Sequence, residues 1–312
     1  MARTLVVAPN WIGDALMAQP LLSRLREKSA IDVVAPEWVA PVMRRMPEVD
    51  EVITAPFRHG ALQLGKRWKL GRALGRRGYG QAIVLPNTWK SALVPFFARI
   101  PLRSGYVGEA RYGLLNRLHR STGAPLREHY AALADARTDL PLTFLRKDTQ
   151  EIEKTRQRFA IPARYAVFCP GAEYGPAKRW PFFAELSNAM KIPVVLLGSG
   201  EDAAAAQGIT AKNLVGKTTL DEAIELIAGA EFVVSNDSGL MHVAAALGRP
   251  QVALFGSSSP LQTPPQPPAS RVLWLHLECS PCFRRECPLG HFRCMRDMSV
   301  ERVLSEIEKL EH

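Results

Sequence analysis

Residues 232–260 read FVVSNDSGLMHVAAALGRPQVALFGSSSP, and this stretch contains a complete strand, turn, helix and strand. A β-branched apolar run stops at residues 236–239, a helix of small apolar residues follows, and a second buried strand comes after Pro250. In parallel sheets, the loop that ends the first strand of such a unit lies at the edge where ligands bind. Asp237 and Ser238 can cap the helix, whose free N–H groups favour an anion. The stretch therefore predicts a nucleotide-phosphate site.

Short apolar strands alternate with helices on both sides of this unit. The pattern begins with a strand at residues 4–9 and one long helix at residues 15–26, and it restarts after a linker that contains Pro141. The sequence therefore predicts the α/β class, with two Rossmann-like, doubly wound domains at residues 1–147 and 148–312. A crevice between two such domains is the natural place for a ligand.

Positive charge is concentrated in the first half of the chain. The 312 residues include 40 Lys and Arg against 30 Asp and Glu, and residues 1–150 alone hold 23 against 12. The first half therefore carries the whole net charge of +10. Two interpretations remain open: a solvated helix face, or attraction to a polyanion such as nucleic acid or an anionic membrane surface. The cations concerned are Arg58, Lys66, Arg67, Lys69, Arg72, Arg76 and Arg77.

No segment has the pattern of a targeting or membrane-spanning sequence. The N-terminal apolar run around Leu5 is too short for a signal peptide, and no stretch reaches the roughly 20 apolar residues that cross a bilayer. The sequence therefore predicts a cytosolic protein. Thiols stay reduced in the cytosol, which bears on the cysteines of this chain.

Four of the five cysteines lie close together in the sequence. Cys279, Cys282, Cys287 and Cys294 follow the spacing C-x2-C-x4-C-x6-C, with His291 inside the cluster. Four thiolates form a common structural site for zinc, and an iron–sulfur cluster is a second possibility. Reduced thiols without a metal and disulfides are the remaining alternatives.

The segment NWIGD at residues 10–14 links the first strand to the first helix. Gly13 permits a tight turn with close backbone approach, and Asp14 stands at the start of the helix. One interpretation is an N-cap aspartate that stabilises its own helix by about 1 kcal/mol. The other is a general base at the mouth of the sheet, which the helix N-terminus keeps ionised.

A second loop, PGAEYGPAKRWP at residues 170–181, follows the first strand of the C-terminal half. Its glycines give backbone access, and Lys178 and Arg179 precede a helix that begins near Pro181. Paired cations at a helix N-terminus suit a diphosphate leaving group, although ordinary surface cations would give the same pattern. The spacing of a Walker loop is absent.

Two further residues have both a functional and a structural interpretation. Glu201, in the segment GSGED at residues 198–202, could bind ribose hydroxyls or start a helix. His242 lies four residues after Ser238 on the same predicted helix, and it could contact a phosphate or pack against a neighbouring loop.

Taken together, these motifs resemble those of the ADP-heptose:lipopolysaccharide heptosyltransferases. The matching segments are NWIGDALMAQP, LPNTWKSALVPFFARIPLRSGY, RYGLLN, CPGAEYGPAKRWP and NDSGLMHVAAALGRP with ALFG and SSP, and they extend from Leu5 to about Pro265. The resemblance implies a GT-B fold, in which two Rossmann-like domains face each other across a cleft. It also implies an inverting, metal-independent transfer of heptose from ADP-heptose. The most similar members add the second heptose of the inner core, with heptosyl-Kdo2-lipid A as acceptor.

The resemblance also implies roles for individual residues. Asp14 would be the base that takes the proton of the acceptor hydroxyl, and Lys178 would stabilise the departing diphosphate. The N-terminal domain would bind the acceptor, and the C-terminal domain the donor. The donor site would comprise Gly171, Ala172, Glu173, Lys178, Glu201, Asp237, Ser238, Gly239 and His242. Residues suited to Kdo carboxylates and lipid A phosphates would bind the acceptor: Gly13, Arg58, Lys66, Arg67 and Lys69.

The resemblance implies no cofactor for catalysis, so the cysteine cluster at residues 279–294 would hold at most a structural zinc or other metal. The enzyme would work in the cytoplasm, in peripheral contact with the anionic inner leaflet of the inner membrane. Alternatives are a family member that adds the first heptose or uses another acceptor, and a nucleotide-sugar epimerase or hydrolase. A metal-dependent nucleic-acid-binding protein is disfavoured, because the basic residues lie in the half without the cysteine cluster.

Overall fold

The computed structural model describes residues 3–58, 60–265 and 270–310. It divides the chain into two compact units, Met1–Thr143 and Phe144–His312, whereas the sequence pattern placed the boundary after residue 147. Each unit is built around one six-stranded sheet and has its own hydrophobic core.

The first unit contains a parallel sheet in which the chain reverses its direction of winding. Its strands are β1 (Arg3–Val7), β2 (Ala30–Pro36), β3 (Glu51–Ala55), β4 (Gln81–Val84), β5 (Leu102–Tyr106) and β6 (Arg117–His119). They run parallel in the order β3-β2-β1-β4-β5-β6. The helices of this unit are α1 (Ile12–Met17), α2 (Gln19–Arg26), α3 (Ala40–Arg44), α4 (Leu64–Leu74), α5 (Leu93–Phe97) and α6 (Leu126–Ala131).

The second unit repeats this organisation. It begins with helix α7 (Thr149–Arg158), and its strands are β7 (Ala166–Cys169), β8 (Val194–Leu196), β9 (Lys212–Asn213), β10 (Val233–Asn236), β11 (Gln251–Phe255) and β12 (Ser270–Trp274). They run parallel in the order β12-β11-β10-β7-β8-β9. The remaining helices are α8 (Phe183–Ala189), α9 (Leu220–Gly229), α10 (Gly239–Ala246), α11 (Arg293–Arg296) and α12 (Val300–Glu308).

The two sheets have the same strand order when each is counted from its first strand. In both, the first and fourth strands are neighbours, and the connections leave this pair in opposite directions. This is the order of a Rossmann sheet, and the loops after the central pair form the switch point where ligands bind. The predicted α/β class with two doubly wound, Rossmann-like domains is therefore confirmed.

The single helix predicted at residues 15–26 is wrong, because two helices, α1 and α2, meet at Ala18. Pro20 lies in the first turn of α2, where a missing N–H is tolerated. The same residue could not continue the hydrogen-bond ladder of α1. The break leaves Asp14 on a short helix of six residues.

Several elements were not predicted from the sequence pattern, and each omission has a physical reason. The strands β6, β9 and β12 lie at sheet edges, and Leu273 is the one residue that they bury, so they lack a buried run of apolar residues. Helix α7 buries only Thr155, and Ile152 is its one apolar residue. It begins where the Asp148 side chain accepts hydrogen bonds from the Gln150 and Glu151 N–H groups, at 2.9 and 3.3 Å.

Candidate functional site

Two loops meet at the switch point of the second sheet. The loop at residues 170–181 follows β7, and residues 237–239 follow the neighbouring strand β10. Asn236, at the end of β10, joins the two loops. Its side-chain amide donates to the Pro170 carbonyl over 2.8 Å, and its Oδ1 accepts from the Trp180 N–H over 3.1 Å. This role of Asn236 was not predicted from the sequence.

Lys178 and Asp237 form an ion pair at this junction. The Lys178 ammonium donates to one carboxylate oxygen of Asp237, and the Ser258 hydroxyl donates to the same oxygen over 2.5 Å. The Lys178 Nζ also lies 4.8 Å from the ring centroid of Tyr174. Only 15% of the Lys178 side chain and 6% of the Asp237 side chain are exposed. The structure thus brings together two charged residues that the sequence assigned to the donor.

Ser238 caps helix α10, and its Oγ accepts from the Met241 N–H over 3.4 Å. Of the two caps that the sequence offered, Ser238 is confirmed and Asp237 is wrong, because the Asp237 carboxylate pairs with Lys178 instead. Gly239 is the first residue of the helix. Since the first N–H groups of a helix have no acceptors within it, this end offers donors to an anion.

His242 is buried one turn into α10. Burial lowers the pKa of His242 to about 4, the Asp237 charge raises it and the Lys178 charge lowers it. The imidazole is therefore neutral at pH 7. Within the described part of the chain, its Nδ1 has no hydrogen-bond partner. His242 can offer a ligand a neutral donor or acceptor but not a cation.

The buried imidazole of His242 should make the protein less stable in weak acid. Below about pH 6.5 the unfolded chain binds a proton at an ordinary histidine, whereas folded His242 resists protonation down to about pH 4. Stability is therefore lost as pH falls through this window, by about 2 kcal/mol between pH 7 and pH 5. Urea unfolding of the wild type and of His242→Gln at both pH values measures this difference. Equal losses in the two proteins would contradict the assignment.

The rest of the loop at residues 170–181 contains buried and exposed positions. Ala172 is buried, and its carbonyl accepts from the Arg179 guanidinium over 3.3 Å, while Glu173 is exposed. The Arg179 side chain is thus turned towards the backbone of its own loop. Of the two adjacent cations, Lys178 is the one that faces Asp237.

The segment after β8 packs against the first glycine of this loop, Gly171. Asp202 is buried there and accepts from the backbone N–H and the hydroxyl of Ser199, at 2.9 Å each. Its neighbour Glu201, which the sequence assigned to ribose, is exposed. Asp202 is therefore the carboxylate that starts the short helix Gly200–Ala206, and the ribose role of Glu201 stays a prediction.

Gly171→Ala should lower the free energy of unfolding by about 1–3 kcal/mol. The added Cβ would overlap the Asp202 carboxylate, which is buried and bonded to Ser199. Urea unfolding at pH 7 measures the loss. Gly200→Ala is the matched control, because its added Cβ would meet no atom of the described residues within 4 Å. A loss no larger than that of the control would show that the loop has room for a side chain.

In the first unit, Asp14 lies in the first turn of α1, three residues after the N-cap residue Trp11. The N-cap interpretation of Asp14 is therefore wrong. Burial and, to a lesser extent, the Asp14 charge raise the pKa of Tyr130, which α6 brings close to it. The half-buried carboxylate is on the helix that follows β1, so it stands at the switch point of the first sheet.

A cavity of about 190 Å³ lies at the carboxyl ends of β1 to β4. Trp38 forms part of its wall and donates from Nε1 to the Asn10 carbonyl over 2.8 Å. Three cationic side chains also line it, namely those of Arg58, Arg67 and Lys90. A cavity with aromatic walls and several cations suits a sugar that carries acidic groups.

Arg67 holds the loops of this cavity together. Its guanidinium donates to the carbonyls of Leu62, Lys90 and Ala61, at 2.6, 3.1 and 3.3 Å. It also lies 4.2 Å above the ring of Phe57. Burial lowers the pKa of the Arg67 guanidinium. From the sequence, Arg67 was predicted to bind the acceptor, and this structural role was not predicted.

The other predicted acceptor residues are placed differently. Gly13 lies in the first turn of α1, while Arg58, Lys66 and Lys69 are exposed. Lys90 was not singled out from the sequence, although it ends the NTWK segment. Its Nζ donates to a backbone carbonyl over 2.6 Å at the edge of the cavity. None of the helices in the described residues has the length and apolarity to cross a membrane.

The four clustered cysteines surround a second, small cavity together with His291. All five cysteines are free thiols, so the disulfide alternative is wrong. Across residues 3–58, 60–265 and 270–310, no group of three or more His, Cys, Asp or Glu side chains is placed so that it could hold a metal ion. Burial raises the pKa of the Cys294 thiol to about 11, and the three neighbouring thiols add to this rise.

Comparison with known proteins gives a consistent result. The sequence profile of glycosyltransferase family 9 (heptosyltransferase) matches residues 67–293. The chain is 44% identical to lipopolysaccharide heptosyltransferase 2 of Escherichia coli strain K12, over 99% of this chain and 98% of that protein. It is 26% identical to lipopolysaccharide heptosyltransferase 1 of Pseudomonas aeruginosa, over 97% of this chain and 93% of that protein.

A solved structure extends this similarity to three dimensions. The structure of E. coli ADP-heptose lps heptosyltransferase II matches this chain with a TM-score of 0.87 and 40% sequence identity. The match covers 99% of this chain and 98% of that chain.

Proposed function

This chain belongs to glycosyltransferase family 9, the heptosyltransferases, and we propose that it acts as a heptosyltransferase II. In this reaction L-glycero-D-manno-heptose passes from ADP-heptose to the first heptose of the lipopolysaccharide inner core, with inversion at the anomeric carbon. The observation that carries the proposal is 44% identity along the full chain to a heptosyltransferase 2, against 26% to a heptosyltransferase 1.

The donor is assigned to the switch point of the second sheet. As ADP leaves, negative charge grows on its diphosphate oxygens, and groups oriented in advance stabilise that charge best. The Lys178 ammonium and the first N–H groups of α10 are such groups, since Asp237 already holds the ammonium in place. Ala172 and Glu173 would contact the donor from the loop after β7. The neutral imidazole of His242 would contact it from α10.

Asp14 is assigned the role of the general base that accepts the proton of the acceptor hydroxyl. Attack at the anomeric carbon builds positive charge on the sugar ring while the hydroxyl oxygen forms its new bond. A carboxylate of ordinary basicity suffices when proton transfer accompanies bond formation. The partial positive charge at the start of α1 favours a negative charge on Asp14, and Gly13 beside it allows the acceptor close to the backbone. The step uses protein charges throughout, without a catalytic metal.

The acceptor is assigned to the cavity of the first unit and to the basic residues around it. Kdo carboxylates would meet Arg58 and Lys90 at the cavity, while Arg67 keeps the loops in shape. Lys66 and Lys69, on the exposed side of α4, would face the phosphates of lipid A. Charges of this kind set acceptor preference and the rate of encounter more than they set affinity.

The same region is proposed to contact the anionic surface of the inner membrane from the cytoplasm. Between Glu51 and Glu109 the chain contains ten Lys and Arg and no Asp or Glu. Large apolar side chains are exposed among these cations, including Trp68 at 52% and Trp89 at 40%. Cations attract anionic lipids, and tryptophan favours the boundary between headgroups and acyl chains.

Lys66→Ala/Lys69→Ala should weaken binding to vesicles that contain phosphatidylglycerol by about 30-fold, because each lysine near an anionic surface contributes about 1 kcal/mol. Co-sedimentation at 0.1 M salt measures the bound fraction. Lys154→Ala/Lys212→Ala removes two exposed lysines of the second unit and is the matched control. Equal binding of the two variants, or equal binding to neutral phosphatidylcholine vesicles, would refute the membrane contact.

The proposed function is tested by ADP release from ADP-heptose with three acceptor conditions. Release with monoheptosyl-Kdo2-lipid A, and little with Kdo2-lipid A, is the expected result. Release with Kdo2-lipid A instead would assign the enzyme to the first heptose. Equal release without any acceptor would indicate a hydrolase, and both of these results would refute heptosyltransferase II activity.

A further inference from the structure

The cysteine cluster lies next to the loop at residues 170–181, which contains Lys178. Its four thiols line one small cavity, and Ala177 and Ser257 complete the wall on the side of the second sheet. Cys294 belongs to α11 and is buried against the main core of the unit. The cluster is therefore built into the fold, and nothing in the proposed reaction uses it.

The turn around Cys287 directs amide hydrogens at sulfur. The Phe292 N–H donates to the Cys287 Sγ over 3.4 Å. The Gly290 N–H closes the turn onto the Cys287 carbonyl over 3.0 Å, and Gly290 and Phe292 both have positive φ angles, 71° and 52°. Such amide–sulfur bonds orient and stabilise thiolates that bind metals. A half-buried thiol that binds nothing has no need of this turn.

His291 is not a suitable ligand, although it lines the same cavity. Its Nδ1 accepts a hydrogen bond from the Arg293 N–H over 3.0 Å. In a neutral imidazole the proton is then on Nε2, so neither ring nitrogen keeps a free lone pair for a metal. The available donor set is four sulfurs.

We propose that Cys279, Cys282, Cys287 and Cys294 bind one thiophilic metal ion, zinc or iron, as a structural tetrathiolate site. Four sulfurs in tetrahedral geometry select these two metals. The thiols line the cavity, but among the described residues no three of them are placed so that they could hold a metal ion, so binding requires their side chains to turn inwards. Binding releases the thiol protons and adds folding free energy to the segment.

The metal would also fix the position of Lys178, which is the part of the inference that rests on the proposed function. The residues between Cys282 and Cys287 form two hydrogen bonds with the loop at residues 170–181, which is assigned to the donor. The Arg285 carbonyl accepts from the Ala177 N–H over 3.0 Å, and the Phe283 carbonyl accepts from the Tyr174 hydroxyl over 2.7 Å.

The Tyr174 ring connects residues 283–285 with the Lys178 ammonium. The Arg285 guanidinium lies 5.5 Å from the ring centroid, and the Lys178 Nζ lies 4.8 Å from it. A metal that orders residues 283–285 would therefore order the loop and the ammonium that the diphosphate meets. The cysteine residues would act as positioning residues and would not touch the substrate.

The first experiment measures metal per chain by mass spectrometry, after expression with zinc and iron both supplied. About one equivalent is expected in the wild type, as four thiolates bind a single ion. Cys282→Ser/Cys287→Ser should bring no metal, whereas Cys169→Ala, which removes the thiol outside the cluster, should keep it. Zinc or iron at one equivalent supports the site. No metal in the wild type, both as purified and after reconstitution with either ion, would overturn it.

The second experiment compares ADP binding to loaded and chelator-stripped wild-type protein by calorimetry. ADP should bind about 10-fold more weakly after stripping, a usual size for coupling between linked sites. Restoring the metal should restore the affinity. Equal ADP affinity in the two forms would overturn the coupling to Lys178. One equivalent of metal in a protein that binds no ADP would instead leave the metal site standing and refute the donor site.

Discussion

Asp14→Asn should lower kcat for heptose transfer by about 10³-fold, while the affinity for ADP stays within about three-fold. Asparagine has the shape of aspartate, and the third position of α1 tolerates it, so the helix and its surroundings should persist. The amide cannot accept the proton of the acceptor hydroxyl. The donor is assigned to the second unit, so its binding should not depend on this carboxylate.

The measurement is ADP release at saturating donor and acceptor, with ADP affinity determined separately by calorimetry. Asp139→Asn is the control, since it removes the charge of an exposed carboxylate from the same unit. Transfer that survives in Asp14→Asn would show that another group takes the proton. A collapse of ADP affinity together with activity would show that the substitution disturbs the fold or that Asp14 contacts the donor.

Lys178→Ala should lower kcat/KM for ADP-heptose by about 10²- to 10³-fold, the usual cost of removing one group that stabilises developing negative charge. The effect should exceed the loss of one cation. Without the ammonium, the buried Asp237 carboxylate would have no cationic partner, and its negative charge would repel the diphosphate. The loss should appear in both kcat and the KM of the donor.

A second substitution separates these two contributions. Asp237→Asn in the Lys178→Ala background removes the repelling charge and should recover about 10-fold in donor KM, as coupled residues give non-additive effects. Lys191→Ala, an exposed lysine of the same unit, controls for the loss of net charge. Unchanged donor kinetics in Lys178→Ala would refute its contact with the phosphates, and a double variant weaker than Lys178→Ala would refute the repulsion.

The architecture could be predicted from the sequence because the central strands are nearly continuous apolar runs. Leu5, Val6 and Val7 in the first sheet and Val233 and Val234 in the second are fully or almost fully buried. The loops that follow such runs had to lie at the ligand edge of a parallel sheet. The sequence motifs therefore identified both switch points, and the comparisons confirmed the family.

The details of the site depend on partners that are distant in the sequence. Asn236 joins two loops because Pro170 and Trp180 are brought to it by the neighbouring strand. Arg67 lies in a basic run, and only the fold brings the Lys90 carbonyl, 23 residues away, to its guanidinium. Asp202 could not be distinguished from Glu201 next to it without knowing which one faces Gly171. Local sequence patterns contain no information on such contacts.

The repeated strand order has a consequence for how this enzyme can change during evolution. Each unit has its own switch-point loops and its own apolar core. Substitutions whose effects stay within separate cores combine additively. Drift in the loops of the first sheet, where the acceptor is assigned, would therefore alter which oligosaccharide is extended without eroding the nucleotide-sugar chemistry of the second. A lineage could diversify its surface glycolipid while inheriting the same activated sugar.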